Sequence, residues 1–373
     1  MNELEMSAAK LREAVAGASR NLVERASLVE AVVLAAVAGE HLLVIGPPGT
    51  AKSQAVRRIA GALGGRYFEY LLGRFSEPSE IFGPVDLRRL REGVVQTQTD
   101  GMLPEAEIAF LDEVFQGSTA ILNTLLGLLN ERVFRRGHDA IAAPLRTCCA
   151  ASNALPDDPN LSAFADRFLL QLWVNAVPDA QLEELLEGGW AADEAATNLA
   201  TIGDVDALAR AAREADMTRV RPHIAEALRL LRGVGVEMSD RRAVKTQKLV
   251  AAAAMLDGRD VPDDGDLWPI VWAVPTLEGQ TLAREVLRDK LSRTRNGALP
   301  SASEEASSGP LARALRLENS ARELLARPER DGGWRLKLEG VAREMDAAFA
   351  PEHRTQSLQS ARESIVAALG VPS

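Results

Sequence analysis

The stretch Gly46-Pro47-Pro48-Gly49-Thr50-Ala51-Lys52-Ser53 decides the fold. It follows the apolar run HLLVI at residues 41–45 and precedes a helical pattern that begins at Gln54. A buried strand, a glycine-rich turn and a helix form the setting in which backbone N–H groups and the positive end of a helix hold phosphate oxygens. Lys52 would then reach the β- and γ-phosphates, and the Ser53 hydroxyl would bind magnesium. The stretch therefore predicts a phosphate loop, with all eight residues in contact with a nucleotide.

Position 51 departs from the usual pattern, because Ala51 stands where a glycine usually precedes the lysine. A methyl group is tolerated there only if the backbone keeps a negative φ, so we expect a negative φ at Ala51. The alternative is a chance glycine-proline turn before a helix. The Lys-Ser pair at the expected offset after a buried strand argues against that alternative.

Two carboxylates follow another apolar run, since residues 108–111 (IAFL) lead directly into Asp112 and Glu113. Carboxylates at the end of a buried strand are costly unless they face a cation. In a nucleotide site Asp112 would hold magnesium through water, and Glu113 would polarise the attacking water. Considered alone, the pair is explained equally well as a helix N-cap. The phosphate loop earlier in the chain favours the nucleotide site.

A third apolar run, at residues 146–151, ends in Ser152 and Asn153. An amide at this position can bind both the γ-phosphate and the attacking water. Asparagine is also common in turns for purely local reasons, and without the two earlier motifs we would favour the turn.

The first half of the chain alternates short apolar runs with helical patterns, which predicts a parallel α/β sheet. We expect buried strands at 41–45, 67–72, 108–111 and 146–151. Two hairpins are also expected, one at 85–99 that turns at 91–93 and one at 132–143 that turns near 137–139.

After Val174 the pattern is almost entirely helical. Helices are expected at 220–231, with Pro222 in the first turn, and at 241–256. Residues 296–310, rich in Ser, Gly, Pro and Glu, are predicted to form a linker before a last helical stretch at 311–369.

Composition limits the class of protein. The 373 residues carry a formal charge of −10 at pH 7, which argues against a nucleic-acid-binding surface over the whole molecule. The N-terminus lacks the features of a signal peptide, and no apolar run is long enough to span a membrane, so a cytoplasmic protein without membrane insertion is expected. The adjacent Cys148 and Cys149 allow no disulfide framework. The four histidines have no metal-ligand spacing: His41, His138, His223 and His353.

Six stretches together resemble the MoxR branch of the AAA+ ATPases, most closely its RavA-like members, over residues 11–275. They are LLVIGPPGTAKS, RFSEPSEIFGPV, GMLPEAEIAFLDEVFQGSTAILNTLLGLLNERVFRRG, AASNALP, DRFLLQLW and SDRRAVKTQKLVAAAAMLDGRDV. The resemblance implies an AAA+ P-loop NTPase core, with a five-stranded parallel sheet, at residues 1–175. A small all-α lid would follow at 176–276, and a helical C-terminal extension with the linker near 296–310 at 277–373. The two hairpins would be the helix-2 insert and the hairpin before the sensor strand.

The same resemblance implies roles for three side chains. Asn153 would be the sensor that detects the γ-phosphate, and Arg167 the arginine finger that enters the neighbouring subunit's site. Arg241 would be the lid arginine that contacts the γ-phosphate in its own subunit. Arg242 is a rival for that role, because both arginines lie in one helical turn.

The function that the resemblance implies is ATP hydrolysis, with ATP and Mg²⁺, in a homo-hexameric ring that remodels a protein client in a chaperone-like way. A protein with a von Willebrand A domain is the expected partner. A gas-vesicle assembly ATPase or a metal-chelatase motor subunit would share this core. A nucleotide-gated scaffold with little turnover is the alternative of another class, and the presence of Glu113, Asn153 and Arg167 argues against it. The acidic charge balance argues against a nucleic-acid motor.

Overall fold

A computed structural model describes residues 3–136, 139–178, 181–190, 198–327, 332–348 and 356–370. The chain divides into two compact units. The first comprises Met1–Arg20, Arg25–Asn175 and Asp193–Ser307, and the second comprises Asn21–Glu24, Ala176–Ala192 and Ser308–Ser373. The predicted domain boundaries at 175 and 276 stay predictions. A division of the first unit into core and lid stays a prediction.

The centre of the first unit is a five-stranded parallel sheet in the order β2-β3-β6-β1-β7. Its strands are β1 (Leu42–Ile45), β2 (Tyr67–Leu71), β3 (Ile108–Asp112), β6 (Thr147–Ser152) and β7 (Leu170–Trp173). The four strands expected from apolar runs are confirmed, and β7 is the additional one. Together with the surrounding helices, the sheet forms the α/β fold that the resemblance implies.

Helices cover the sheet. Those of the first unit are α1 (Glu3–Ser19), α2 (Ala26–Ala38), α3 (Lys52–Ala62), α4 (Pro78–Phe82), α5 (Leu87–Arg91), α6 (Thr119–Glu131), α7 (Pro159–Ala165), α9 (Ile202–Glu214), α10 (Arg221–Gly233), α11 (Asp240–Leu256), α12 (Pro269–Trp272), α13 (Leu277–Val286), α14 (Arg288–Leu291) and α15 (Pro300–Ser308). All four residues of β1 are buried, as are all of α2 from Leu28 to Ala38, because a parallel sheet is covered on both faces. No helix within the described residues is both long and apolar enough to cross a membrane.

The expected hairpin at 85–99 is wrong. Residues Leu87–Arg91 form α5, and the only pairing described in this segment is an isolated bridge between Val85 and Thr97. The carboxylate of Asp86 accepts hydrogen bonds from the N–H groups of Arg88 and Arg89, so it caps a helical turn where a strand was expected. The second hairpin is confirmed as the antiparallel pair β4 (Val133–Arg136) and β5 (Asp139–Ala142). Its turn, at 137 and 138, lies outside the described residues.

The expected linker at 296–310 is also wrong, because most of it is α15. The side chain of Asn296 donates to Ala253 O and accepts the N–H groups of Ala298 and Leu299. Ala302 in α15 is fully buried. Small residues, which made this segment look like a linker, here let a helix pack closely against its neighbours.

The buried carboxyl of Glu30, in α2, accepts the N–H groups of Ser301 and Ala302 at the start of α15. Burial raises the pKa of Glu30 from 4.5 to about 7, the two backbone hydrogen bonds lower this pKa in part, and the charge of Glu305 adds to the rise. The folded protein therefore holds a proton here that the unfolded chain releases near pH 4.5.

Because of Glu30, the free energy of unfolding should fall as pH rises. The stabilisation from the held proton is complete below pH 4.5 and is lost as pH rises through about 7. Denaturant unfolding between pH 5.5 and 8 should show a fall of about 2 kcal/mol in the free energy of unfolding, since about 1.5 units of the pKa difference lie above pH 5.5 and one unit corresponds to about 1.4 kcal/mol. Glu30→Gln should flatten the dependence. If the free energy of unfolding of Glu30→Gln depended on pH as steeply as that of the parent, the proton would not be held by Glu30.

The second unit has its own helices, which are α8 (Leu182–Trp190), α16 (Pro310–Ala326), α17 (Gly332–Ala348) and α18 (Gln356–Leu369). Its apolar core includes Leu338, Val341, Met345 and Ile365, and Trp334 packs there with its Nε1–H donated to Leu324 O at 2.7 Å. The predicted helical character of the C-terminal segment is confirmed for the described residues.

Candidate functional site

The phosphate loop leaves the carboxyl end of β1 and enters α3 at Lys52. The N–H of Gly46 donates to Ser152 O at 3.0 Å. A Cβ on Gly46 would lie 2.1 Å from Val174 O, so only glycine fits there. Gly49 has φ +75°, in the left-handed region that glycine occupies without strain. The two glycines let the loop fold tightly against the ends of the neighbouring strands.

Ala51 contradicts the expectation of a negative φ, because its φ is 57° and its ψ is 27°. A left-handed conformation costs an L-residue with a side chain about 1–2 kcal/mol. The loop needs this turn, because residues in and near the left-handed region bend the backbone into a concave surface whose N–H groups converge on an anion. The conformation of the loop overrides the preference of alanine.

Lys52 is buried in the loop, where its ammonium donates to Gly46 O and Pro47 O, both at 2.9 Å. Burial lowers the pKa of Lys52, the charge of Arg25 lowers it further, and the carboxylates of Asp112 and Glu113 raise it. The ammonium is therefore close enough to both carboxylates to interact with them. Ser53 lies half-buried in the first turn of α3.

Asp112, Glu113 and Asn153 lie at the same edge of the sheet as the loop. Asn153 Nδ2 donates to Glu113 Oε1 at 2.8 Å, and the Glu113 N–H donates to Asp112 Oδ1 at 2.9 Å. Glu113 has φ 49° and ψ 44°, which is a second left-handed residue that is not glycine. Strained residues of this kind persist where the surroundings hold them, and they cluster at functional sites.

The sheet order explains why motifs far apart in sequence meet. Strands β1 and β3 both pair with β6, with Ile45 opposite Ser152 and Leu111 opposite Ala150. Because the strands are parallel, their carboxyl ends share one edge, where open α/β sheets bind ligands. The structure thus brings the phosphate loop, the two carboxylates and Asn153 together. We call this the nucleotide edge.

These residues fit a magnesium-bound nucleotide. The buried Lys52 ammonium is bonded to backbone carbonyls, so phosphate oxygens can compete for it, and α3 presents its positive end to the same place. Within the described parts of the chain, no cluster of three or more His, Cys, Asp or Glu is arranged to hold a metal ion. Magnesium that is held mainly by phosphates needs few protein ligands, and Ser53 and Asp112 supply a hydroxyl and a carboxylate.

Arg167 lies just before the amino end of β7, whereas the nucleotide edge is at the carboxyl ends of the strands. It precedes β7 by three residues, and the N–H of Leu170 donates to His41 O, just before β1. His41 and Leu170 lie at the amino ends of β1 and β7. We call the edge of the sheet formed by the amino ends of the strands the amino edge. The Nε of Arg167 is buried with no hydrogen-bond partner among the described residues. Burial and then the nearby charge of Arg241 lower the pKa of Arg167.

Arg242 is buried and bonded to the backbone of neighbouring segments. Its side chain is only 1% exposed and donates to the backbone oxygens of Asp166, Phe168, Leu169 and Ala273 at 2.7–3.2 Å. It also pairs with the Asp166 carboxylate at 3.2 Å. These bonds tie the start of α11 to the segment before β7.

The role of Arg241 at the γ-phosphate of its own subunit stays a prediction. Its guanidinium donates to Asn130 Oδ1, near the end of α6. Further along α11, Lys245 and Lys248 bind the carboxylate of Glu40, immediately before β1. The start of α11 is thus fixed at the amino edge. The four residues of β1, about 13 Å at the usual rise, separate this edge from the phosphate loop.

Sequence reasoning missed Arg25, which precedes α2 and is 4% exposed. Its Nε donates to Thr50 O at 2.6 Å, and its Nη2 donates to Asn175 O at 2.7 Å. The one signal in the sequence is a cation directly before the apolar helix ASLVEAVVLAAVA.

Comparison with known proteins places the chain in a family. The family model described as the MoxR domain in the MoxR-vWA-beta-propeller ternary systems matches residues 9–210. Two uncharacterized proteins of Methanocaldococcus jannaschii are similar. MJ0812 is 34% identical over 247 residues, which cover 66% of this chain and 66% of that protein. MJ0079 is 34% identical over 271 residues, which cover 72% of this chain and 70% of that protein.

Among solved structures, the crystal structure of a candidate ATPase from Cytophaga hutchinsonii matches with a TM-score of 0.63 and 15% identity, over 79% of this chain and 97% of that one. At this identity the likeness shows the fold alone. The family model spans more than half of the chain and includes the phosphate loop, both carboxylates, Asn153 and Arg167. The chain therefore belongs to the MoxR family of AAA+ proteins.

Proposed function

We propose that the chain is a magnesium-dependent ATPase that works in a ring of identical subunits and remodels a protein partner. One observation carries the proposal. The nucleotide edge holds Lys52, Asp112, Glu113 and Asn153, whereas Arg167 lies at the amino edge. A single subunit therefore carries the two parts of a site at opposite edges of its sheet. The site would be complete where the amino edge of one subunit meets the nucleotide edge of another.

At the nucleotide edge, each residue has a chemical task. Lys52 binds the β- and γ-phosphates, and Glu113 accepts the proton of the attacking water while Asn153 orients that water. Ser53 and Asp112 hold Mg²⁺, which neutralises charge on the phosphates when it is bound. Arg167 of a neighbouring subunit adds positive charge where the transition state becomes more negative.

A ring follows from the same separation of edges. Each subunit offers its amino edge to the nucleotide edge of the next, which is a head-to-tail contact. Such contacts form a closed ring when the rotation between subunits closes, and otherwise an open filament. The resemblance to MoxR-type ATPases supports six subunits.

The partner is inferred from the family. The matched domain is described from systems that also contain a von Willebrand A protein and a β-propeller, so we propose a von Willebrand A protein as the partner. The RavA-like subtype and the chaperone-like action on this partner remain predictions of the resemblance.

The test of nucleotide binding is Lys52→Ala. Loss of a charge-assisted contact worth about 1.5–3 kcal/mol should weaken ATP binding at least about tenfold in isothermal titration. Lys337→Ala, which removes the same charge from the second unit, is the matched control and should bind ATP as the parent does. Equal affinities of the parent and Lys52→Ala would overturn the assignment of the phosphate loop. ATP binding by the parent without phosphate release would favour the nucleotide-gated scaffold.

A further inference from the structure

Arg25 connects three segments that meet behind the phosphate loop. The guanidinium lies just before α2, binds Thr50 O inside the loop, and binds Asn175 O beyond the end of β7. Both bonds are short, at 2.6 and 2.7 Å, and the side chain is almost fully buried. A buried guanidinium that donates to loop carbonyls restricts how those peptide groups turn.

The bond to Thr50 O fixes the direction of one peptide group. A peptide bond is planar, and in its trans form the C=O and the following N–H point in opposite directions. No cis peptide bond occurs in the described part of the chain. When Thr50 O faces Arg25, the N–H of Ala51 therefore faces away from Arg25. An N–H that faces the inside of the loop is what phosphate binding needs.

The neighbouring residue makes this restraint necessary. Ala51 holds a left-handed conformation that alanine disfavours and glycine does not. Left to itself, the Thr50–Ala51 peptide would relax toward a negative φ at Ala51, which would turn the N–H out of the loop. Only the conformation with the N–H turned inward binds phosphate well.

We propose that Arg25 is a positioning residue of the phosphate loop, which holds the Thr50–Ala51 peptide in its phosphate-binding orientation and compensates for alanine at position 51. The proposal rests on the proposed binding of ATP. Arg25 acts through the backbone, so its removal lowers the fraction of molecules with a competent loop. Apparent affinity falls in proportion to that fraction.

A double-mutant cycle tests the pair. ATP dissociation constants are measured by isothermal titration for the parent, Arg25→Gln, Ala51→Gly and the double variant. We expect Arg25→Gln to weaken ATP binding at least about tenfold in the parent. In the Ala51→Gly background the same change should weaken binding by a clearly smaller factor, because glycine holds the left-handed conformation without strain.

The kinetic signature separates positioning from a general loss of structure. Saturating ATP selects the competent loop, so Arg25→Gln should raise KM with little change in kcat. Arg25→Lys, which keeps the charge and can bind Thr50 O, should lie between the parent and Arg25→Gln. Arg57→Gln is the matched control, because Arg57 lies on α3, pairs with Glu69 and is mostly exposed. It should bind ATP as the parent does.

Three outcomes would count against the proposal, and they differ in what they overturn. If Arg25→Gln weakens binding by the same factor in the parent and in the Ala51→Gly background, Arg25 is only a tie between α2 and the end of β7, and the coupling is overturned. Parent-like affinity of Arg25→Gln would overturn the positioning role while the proposed ATPase function stands. Failure of the parent itself to bind ATP would overturn both. If Arg25→Gln does not fold, the Arg25→Lys cycle with Ala51→Gly gives the same comparison.

Discussion

Glu113→Gln is expected to bind ATP with parent-like affinity and to hydrolyse it about 10²- to 10⁴-fold more slowly. Glutamine keeps the oxygen that accepts the Asn153 amide at 2.8 Å, so the geometry at the end of β3 is retained. What is lost is the carboxylate that takes the proton from the attacking water. Phosphate release and titration of ATP, measured on the same preparation, separate the two effects.

Asp112→Asn is the comparison that assigns the base. Asp112 is expected to act on magnesium, so Asp112→Asn should weaken the binding of ATP with Mg²⁺ more than the binding of ATP with EDTA. Glu113→Gln should bind ATP as the parent does, both with Mg²⁺ and with EDTA. A Glu113→Gln variant that turns over at the parent rate, beside an inactive Asp112→Asn that still binds ATP with Mg²⁺, would make Asp112 the base.

Most of the nucleotide edge could be predicted because its residues lie at the ends of apolar runs. Such runs are long enough in β1, β3 and β6 to be recognised as buried strands, and the polar residue that follows each one then has a known edge. Strand β7 was not found in this way. Its sequence LQLW places Gln171 inside the run, and that glutamine is buried with its backbone oxygen bonded to Gln280 Nε2. A buried polar side chain inside the strand breaks the apolar pattern.

The two wrong predictions in the fold have different causes. Asp86 is a good N-cap, and a cap followed by LRRLR forms one helical turn, although the residues at 91–93 suggested the turn of a hairpin. The segment 296–310 has the composition of a linker, yet its helix is fixed by Asn296 and Glu30, the second of which lies far away in the sequence. A local N-cap determines the structure of residues 87–91, whereas tertiary contacts determine that of residues 296–310.

The backbone conformation at Ala51 and the role of Arg25 could not be read from the sequence. Alanine prefers a negative φ, and the opposite result depends on the conformation that the whole loop adopts. Arg25 and Thr50 are brought together by the sheet and α2, and no spacing rule connects them.

The position of Arg241 leads to the second large expected effect. Arg167 and Arg241 are close enough for the charge of Arg241 to lower the pKa of Arg167, and Arg241 is anchored at Asn130. Both arginines therefore belong to the amino edge. We propose that both act on the nucleotide of the neighbouring subunit, so Arg241 would work in trans rather than in cis.

Arg167→Ala and Arg241→Ala should each lower ATP turnover strongly. Both should leave ATP binding in an isolated subunit nearly unchanged. An arginine supplied in trans is worth about 10³- to 10⁵-fold in phosphoryl-transfer enzymes, so Arg167→Ala should lower kcat by up to that factor. Arg241→Ala should also lower kcat, because it carries the second positive charge of the same surface. Arg242→Ala should differ from both, since loss of its buried bonds would lower the thermal unfolding midpoint.

Mixed rings distinguish cis from trans. Lys52→Ala subunits lack a working phosphate loop but keep an intact amino edge. In a mixture with Arg167→Ala subunits, some contacts pair an intact phosphate loop with an intact amino edge, so activity should partly return. A mixture of Lys52→Ala and Arg241→Ala subunits should also recover activity if Arg241 works in trans, and should stay inactive if it works in cis.

Arg167→Ala mixed with Arg241→Ala is the matched control. Every amino edge in that mixture lacks one of the two arginines, so no contact is complete and activity should stay lost. Recovery in this control would mean that the two arginines serve different nucleotides, which would contradict their shared surface.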